Sequence, residues 1–111
     1  MNRIRIYQIN PNHPESFVLS YMNWDYVHKI GAGVNPDRYN CVYDGPCEAT
    51  KLEEIYLEFQ HIENPNFNGH SLSVSDIVET RDGLFFCDSF GWRKIEGADF
   101  SAATMVQEAK K

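Results

Sequence analysis

One helical pattern limits the fold of this chain more than any other feature. Its apolar residues recur at positions i, i+3, i+4 and i+7: Leu52, Ile55, Tyr56 and Phe59. This spacing places them on one face of a helix that begins near Thr50, where Thr50 and Glu53 fit a capping box. An amphipathic helix buries such a face against a second layer. The rest of the chain is therefore expected to supply that layer.

Short strand-like runs separated by proline and glycine turns meet this requirement. We predict strands at residues 3–9, 17–22, 39–43, 77–89 and 92–95. The run at 17–22 is mostly apolar, which predicts a central strand, and the turn at Asp44, Gly45 and Pro46 is expected to end the third strand. The turn at residues 81–83 makes 77–89 a hairpin. The expected fold is α+β, with a mixed or antiparallel sheet of about five strands carrying the 52–59 helix on one face.

A second, shorter helix is expected near residues 24–30. Asn23 is suited to cap its first turn, and Gly31 and Gly33 are suited to end it in a left-handed conformation. A chain of 111 residues has room for one core. We therefore expect a single domain at residues 1–98 and a weakly helical tail at residues 99–111.

The charge and cysteine content narrow the class of protein. Ten basic and sixteen acidic residues give a net charge of -6, which argues against direct binding to nucleic acid or to an anionic membrane. The three cysteines, Cys41, Cys47 and Cys87, are expected to be reduced thiols. The N-terminal residues alternate polar and apolar, and no run approaches the length of a membrane span. The chain is therefore expected to be cytoplasmic.

Two segments resemble one protein family when taken together: residues 69–78 (GHSLSVSDIV) and residues 85–92 (FFCDSFGW). With the opening residues 4–10 (IRIYQIN), they are similar to the YodL-like domain family over roughly residues 1–96. The resemblance implies a bacterial domain that is often encoded on phages and conjugative elements. It implies no catalytic residues, so none are carried over to this chain.

Cys87 is the strongest candidate nucleophile, with His70 as its base and Asp88 beside it, since a cysteine near a histidine can form a thiolate. The alternative is a small buried side chain on a hairpin strand, which is the interpretation we favour. The polar cluster at Ser71, Ser73, Ser75 and Asp76 is expected to control a turn and the strand register, with a phosphate nest as the alternative.

The histidines and cysteines show no spacing typical of a metal site, so we expect no metal and no cofactor. Glu53, Glu54 and Glu58 lie off the apolar stripe and form an acidic helix face. They are expected to be a solvated surface, with a contact surface as the alternative.

The turns near residues 81–83 and 90–93 are expected to cluster at one side of the sheet and to form a binding surface. An aromatic residue at a turn, followed by basic residues, has the composition of an interface centre. The proposed contact residues are Trp92, Arg93, Arg81, Asp82, Phe90 and Lys94.

These observations favour a non-enzymatic protein-binding module, encoded by a mobile element or phage, that modulates a host bacterial protein. One alternative is an inhibitor of a host defence system, of the anti-restriction or anti-CRISPR type, acting through its acidic surface. The other is a small enzyme that depends on Cys87.

Overall fold

The computed structural model describes residues 2–60 and 67–106. Its centre is a mixed six-stranded sheet in the order β5-β4-β3-β1-β2-β6. The strands are β1 Asn2–Ile9, β2 Tyr39–Cys47, β3 Ile77–Thr80, β4 Gly83–Cys87, β5 Trp92–Ile95 and β6 Thr104–Met105. Neighbouring strands run antiparallel except β2 and β6, which are parallel. The α+β prediction is confirmed, with one strand more than expected.

In the described residues three α-helices accompany the sheet: α1 Ser16–Leu19, α2 Trp24–Gly31 and α3 Leu52–Glu58. A short 3-10 helix spans Pro36–Arg38. The core lies on both faces of the sheet. On one face, which we call the α2 face, Leu19 and Val27 pack with Tyr7 and Phe86. On the other, the α3 face, Ile55 of α3 packs with strand residues such as Ile6 and Val78.

A β-bulge in the β1–β2 pair fits the sheet to both layers. Ile6 pairs with Tyr43, whereas the next residue, Tyr7, pairs with Cys41 and leaves Val42 as the extra residue. Val42 and Tyr43 both pack on the α3 face although they are consecutive. An extra residue interrupts the alternation of side chains along a strand, so two neighbours can share one face.

The α3 helix confirms the stripe but corrects its cap. Ile55 and Phe59 are 1% exposed, whereas Leu52 and Tyr56 are only partly buried. The residue before the helix is Lys51 rather than Thr50, and the capping carboxylate belongs to Glu54, which accepts from the Lys51 N–H at 3.4 Å. The Thr50–Glu53 capping box is therefore wrong by one residue.

The predicted strand at residues 17–22 is wrong, because this run forms α1 and the turn after it. Only Leu19 is buried there, while Phe17 is 94% exposed. The prolines that precede the run start a turn, and local hydrogen bonds such as Leu19 N–H to Glu15 C=O then satisfy the backbone without a neighbouring strand. Tyr21, with φ of 68°, ends the segment.

The predicted short helix is confirmed as α2. The Asn23 side chain accepts from the Tyr26 N–H at 2.9 Å, as expected for its cap. The left-handed residue at the other end is Ala32, with Gly33 following it at φ of 103°, while Gly31 is the last helical residue.

The end of β2 also differs from prediction. β2 continues through Gly45 and Pro46 instead of ending there, because β1 pairs with it as far as Cys47. On its other side, β6 pairs only with Asn40 and Cys41. In the described residues no strand pairs with the outer edge of β2 from Tyr43 onward, and an edge position tolerates a proline without an N–H.

The C-terminal segment differs too, since its described part forms β6 rather than a helical turn, and Phe100 is buried on the α2 face. Residues 61–66, which include part of a predicted loop, and residues 107–111 lie outside the described residues. The division into a domain at 1–98 and a tail stays a prediction. In the described part of the chain, no helix is long and apolar enough to cross a membrane.

Candidate functional site

A pocket of about 430 Å³ opens on the α3 face, between α3 and the turn that joins β4 to β5. Helix α3 supplies Glu53, Tyr56 and Leu57, and the far wall comprises residues 87–89 with Gly91 and Trp92. Tyr56 and Trp92 both line it, and their rings meet edge to face with centroids 6.5 Å apart. Apolar walls with a few polar groups at the mouth are typical of binding pockets.

Two apolar side chains near this pocket extend into solvent. Leu57 is 67% exposed on α3, and Phe90 is 93% exposed at the tip of the β4–β5 turn, next to the lining residues Ser89 and Gly91. Neither side chain contributes to the core. We call the pocket together with Leu57 and Phe90 the α3 pocket surface. Exposed apolar residues around a concave site are typical of a surface that a partner covers.

Asp88 fixes the turn that forms one wall. Its carboxylate accepts from the N–H groups of Trp24 and Ser89 at 3.0 and 2.8 Å and from the Arg93 guanidinium at 3.0 Å. Burial alone would raise the pKa of Asp88, but these donors hold that pKa below its ordinary value. Asp88 therefore links the first residue of α2 to the turn, and its carboxylate oxygens are both hydrogen-bonded within the protein.

The predicted binding residues do not form one cluster. The turns at residues 81–82 and 88–91 lie at opposite ends of β4, because β4 runs from one to the other. Arg81 and Asp82 are thus separated from Phe90 and Trp92, which corrects the expected single surface. Lys94 belongs to neither turn, and its ammonium lies 5.9 Å from the centroid of the Phe85 ring.

The acidic face of α3 is also divided among different roles. Glu54 caps the helix, and Glu58 accepts from the Cys47 thiol at 3.5 Å. Glu53 lines the pocket. The residue that the sequence analysis missed is Leu57, and its signal was visible, since it is an apolar residue that lies off the stripe on an otherwise acidic face.

The polar cluster before β3 is built into the fold. Asp76 is 1% exposed, and its Oδ2 accepts from the Gln8 side chain at 2.9 Å and from the Ser73 N–H at 2.8 Å. Gln8 also binds the His70 backbone in both directions, at 2.8 and 3.1 Å. The Ser75 hydroxyl accepts from the Tyr21 N–H at 3.0 Å. These contacts support the predicted role in turn and register control.

The residues of the enzymatic alternative are Cys87, His70 and Asp88, and the structure does not bring them together as a nucleophile and its base. Burial, with the charges of Asp76 and Asp88, raises the pKa of the Cys87 thiol to about 12. The His70 ring lies 2.7 Å from the Ser71 carbonyl through Nδ1 and 4.0 Å from Asp76 through Nε2. Among the described residues, no hydrogen bond joins Cys87 to His70, and no cluster of side chains has the composition of a metal site.

Burial also raises the pKa of Asp76 well above its ordinary value of 3.8, although the N–H of Ser73 and the Gln8 amide partly oppose this shift. The folded protein therefore holds this proton to a higher pH than the unfolded chain does. Above pH 3.8, the contribution of this carboxyl to the free energy of unfolding falls as the pH rises, until the carboxyl has ionised in the folded protein as well.

We expect Asp76→Asn to remove that loss, because the new amide oxygen can still accept from Gln8 and Ser73. The gain in the free energy of unfolding, variant minus wild type, should grow as the pH is raised from about 4 to about 7. Urea denaturation at several pH values measures it. A difference that stays constant with pH would show that this carboxyl does not titrate in the window.

Comparison with known protein families gives a match over most of the chain. The model of the YodL-like domain family matches residues 3–98. No curated protein and no solved structure matches the chain. The matched range contains all the residues of the α3 pocket surface and the polar cluster before β3.

Proposed function

The chain belongs to the YodL-like domain family, and on this premise we propose that it is a non-enzymatic protein-binding module. In this proposal it is encoded by a mobile element or phage and modulates a host bacterial protein. The observation that carries the proposal is the α3 pocket surface, where a pocket of about 430 Å³ lies beside two apolar side chains that extend into solvent.

The pocket suits one apolar side chain from a partner protein. Tyr56 and Trp92 supply aromatic walls, and interface energy is concentrated where an anchoring side chain fills such a pocket. Leu57 and Phe90 would then be covered by the surrounding partner surface, which removes their apolar area from water. Glu53 at the mouth favours a partner with a basic residue nearby.

The state of the titratable groups supports binding over catalysis. The Cys87 thiol, with its pKa raised to about 12, is protonated at neutral pH and is a weak nucleophile. The Asp88 carboxylate is engaged by Trp24, Ser89 and Arg93, so it has no free role as a base. The three contacts of Asp88 instead hold the pocket wall in place.

The test is capture from a bacterial lysate with the full chain as bait, compared with the double variant Leu57→Ala and Phe90→Ala. Both side chains are exposed, so we expect the variant to keep its melting temperature. Recovery of the captured protein should fall at least about tenfold, which corresponds to the loss of one interface hot spot.

Phe17→Ala is the matched control, because Phe17 is as exposed as Phe90 but lies in α1 on the opposite layer. It should leave capture unchanged. Loss of capture with Phe17→Ala and not with the double variant would move the binding surface to the α2 face. Equal capture by all forms would contradict the proposed surface.

A further inference from the structure

β5 forms one edge of the sheet and has a free side. It pairs with β4 on one side, and no strand in the described part of the chain pairs with the other. The strand contains neither a proline nor a register shift. An edge strand of this kind presents unpaired backbone groups to solvent, where another chain can bind them.

The hydrogen bonds on both sides of β4 show which groups point outward. The Cys87 N–H donates to Asp76 C=O at 2.8 Å, and the Ser75 N–H donates to Cys87 C=O at 2.9 Å. Both backbone groups of Cys87 therefore point toward β3 and away from its β5 partner, Trp92. The next pair, Asp88 and Gly91, is joined by an N–H to C=O bond of 3.0 Å.

Hydrogen-bonded and non-hydrogen-bonded pairs alternate along an antiparallel ladder. Trp92, opposite Cys87, is in a non-hydrogen-bonded pair, and so is Lys94, which lies two residues further along β5. The N–H and C=O groups of Trp92 and Lys94 consequently point to the free side. These donors and acceptors have the spacing that an added strand requires.

The side chains of β5 indicate which strand would bind. Arg93 and Lys94 are consecutive exposed cations in a protein whose net charge is -6. Arg93 has one carboxylate partner, Asp88, and Lys94 has a ring contact with Phe85. A second copy of β5 would place cations against cations, which is unfavourable across a strand pair. A strand carrying acidic residues is complementary to this edge.

The edge and the pocket share a residue. Trp92 packs on the α3 face and lines the pocket, while its backbone groups point outward along the edge. A strand added beside β5 would project alternate side chains onto the α3 face next to Trp92. Main-chain bonds to an edge strand, combined with a neighbouring side-chain pocket, are a recurring way to bind extended peptides.

We propose that β5 is the docking edge for an extended acidic segment of a partner protein, which adds as a further strand bound to the backbone groups of Trp92 and Lys94. The inference rests on the proposed function, since it specifies how the binding module holds its partner. It also specifies the partner segment, which is extended and carries acidic residues that face Arg93 or Lys94.

Lys94→Pro tests the backbone contact. Proline removes the outward N–H of Lys94, and an edge position that donates no ladder bond tolerates it. Lys94→Ala is the matched control, because it removes the charge and keeps the N–H. The probe is a displayed library of random peptides about twelve residues long, selected against the full wild-type chain and long enough to span the edge.

We expect the selected peptides to be enriched in aspartate and glutamate and to slow amide exchange at Trp92 and Lys94. Their affinity should fall at least about tenfold more for Lys94→Pro than for Lys94→Ala, as expected for a lost main-chain bond. If Lys94→Pro does not fold, amide exchange in the wild-type chain decides the question.

Other outcomes overturn the inference. These are failure to select peptides, selected peptides that leave the two amides unprotected, and equal affinity for the two variants. Amide protection that rises with protein concentration in the absence of peptide would show that the occupant is a second copy. If a lysate protein is captured through Leu57 and Phe90 but does not respond to Lys94→Pro, the proposed function stands and the strand inference fails.

Discussion

Replacing Phe59 with alanine is expected to lower the free energy of unfolding by about 3–5 kcal/mol, the usual cost of removing a fully buried phenylalanine. Phe59 is 1% exposed and follows directly after α3. Its ring centroid lies 5.0 Å from that of Tyr43 and 5.2 Å from that of Phe67. Truncation would leave a cavity between these rings, and a loss of this size is a large part of the stability of a small domain.

Chemical denaturation measures the change, and Leu57→Ala, two residues earlier in the last turn of α3, provides the control. Leu57 is 67% exposed, so its truncation should change the free energy of unfolding by less than about 0.5 kcal/mol. Similar losses for the two variants would mean that α3 is not docked through its stripe. The pair thus compares a buried side chain with an exposed one, since both changes introduce alanine.

The α3 stripe was predictable because its periodicity is strong and its burial depends on local spacing. Ile55 and Phe59 are buried as the pattern indicates, and Leu52 and Tyr56 are only partly covered. The β3–β4 hairpin was predictable for a similar reason, since a turn signal separates two apolar runs. In both cases neighbouring residues carry the information.

The segment at residues 17–22 shows where composition fails. An apolar run predicts burial, but burial depends on whether another element covers the segment, and here only Leu19 is covered. After the proline turn, local backbone hydrogen bonds form the short helix α1 instead of a strand. As a result, Phe17 and Val18 are exposed to solvent. Nothing in the local pattern distinguishes this helix from a strand.

The candidate site was predictable only in part. Phe90 and Trp92 were both assigned to a turn, whereas Trp92 begins β5, and the element across the pocket from them is α3, which lies far away in the sequence. Arg81 and Asp82 were predicted to lie beside them because that prediction did not take into account that β4 runs from one turn to the other. A single strand between two turns separates them, so the expected cluster conflicted with the predicted hairpin itself.

The link between Asp76 and Gln8 in the polar cluster could not be predicted from the sequence. Gln8 and Asp76 are 68 residues apart, and only the pairing of β1 with β3 brings them together. In the sequence, Gln8 is a glutamine within one strand and Asp76 is an aspartate just before another strand, and nothing local links the two. Their shared burial is a property of the sheet order.

The second large effect that we expect is on the reactivity of Cys87, and burial is its main cause. In the native state Cys87 should react with iodoacetamide at least about a thousandfold more slowly than in denaturant, because the thiolate is the reacting form. Its pKa is raised by burial, and by the nearby charges of Asp76 and Asp88, from 9.0 to about 12. Near neutral pH, each unit of this shift lowers the thiolate fraction about tenfold.

Peptide mapping after timed labelling at about pH 8 measures this rate for each cysteine separately. Cys47 is the internal control, since burial, together with Glu58 and Glu48, raises the pKa of its thiol only to about 11. It should be protected less strongly than Cys87 on this account. Fast native labelling of Cys87 would contradict the structure at the pocket wall and would favour the cysteine-dependent enzyme over the binding module.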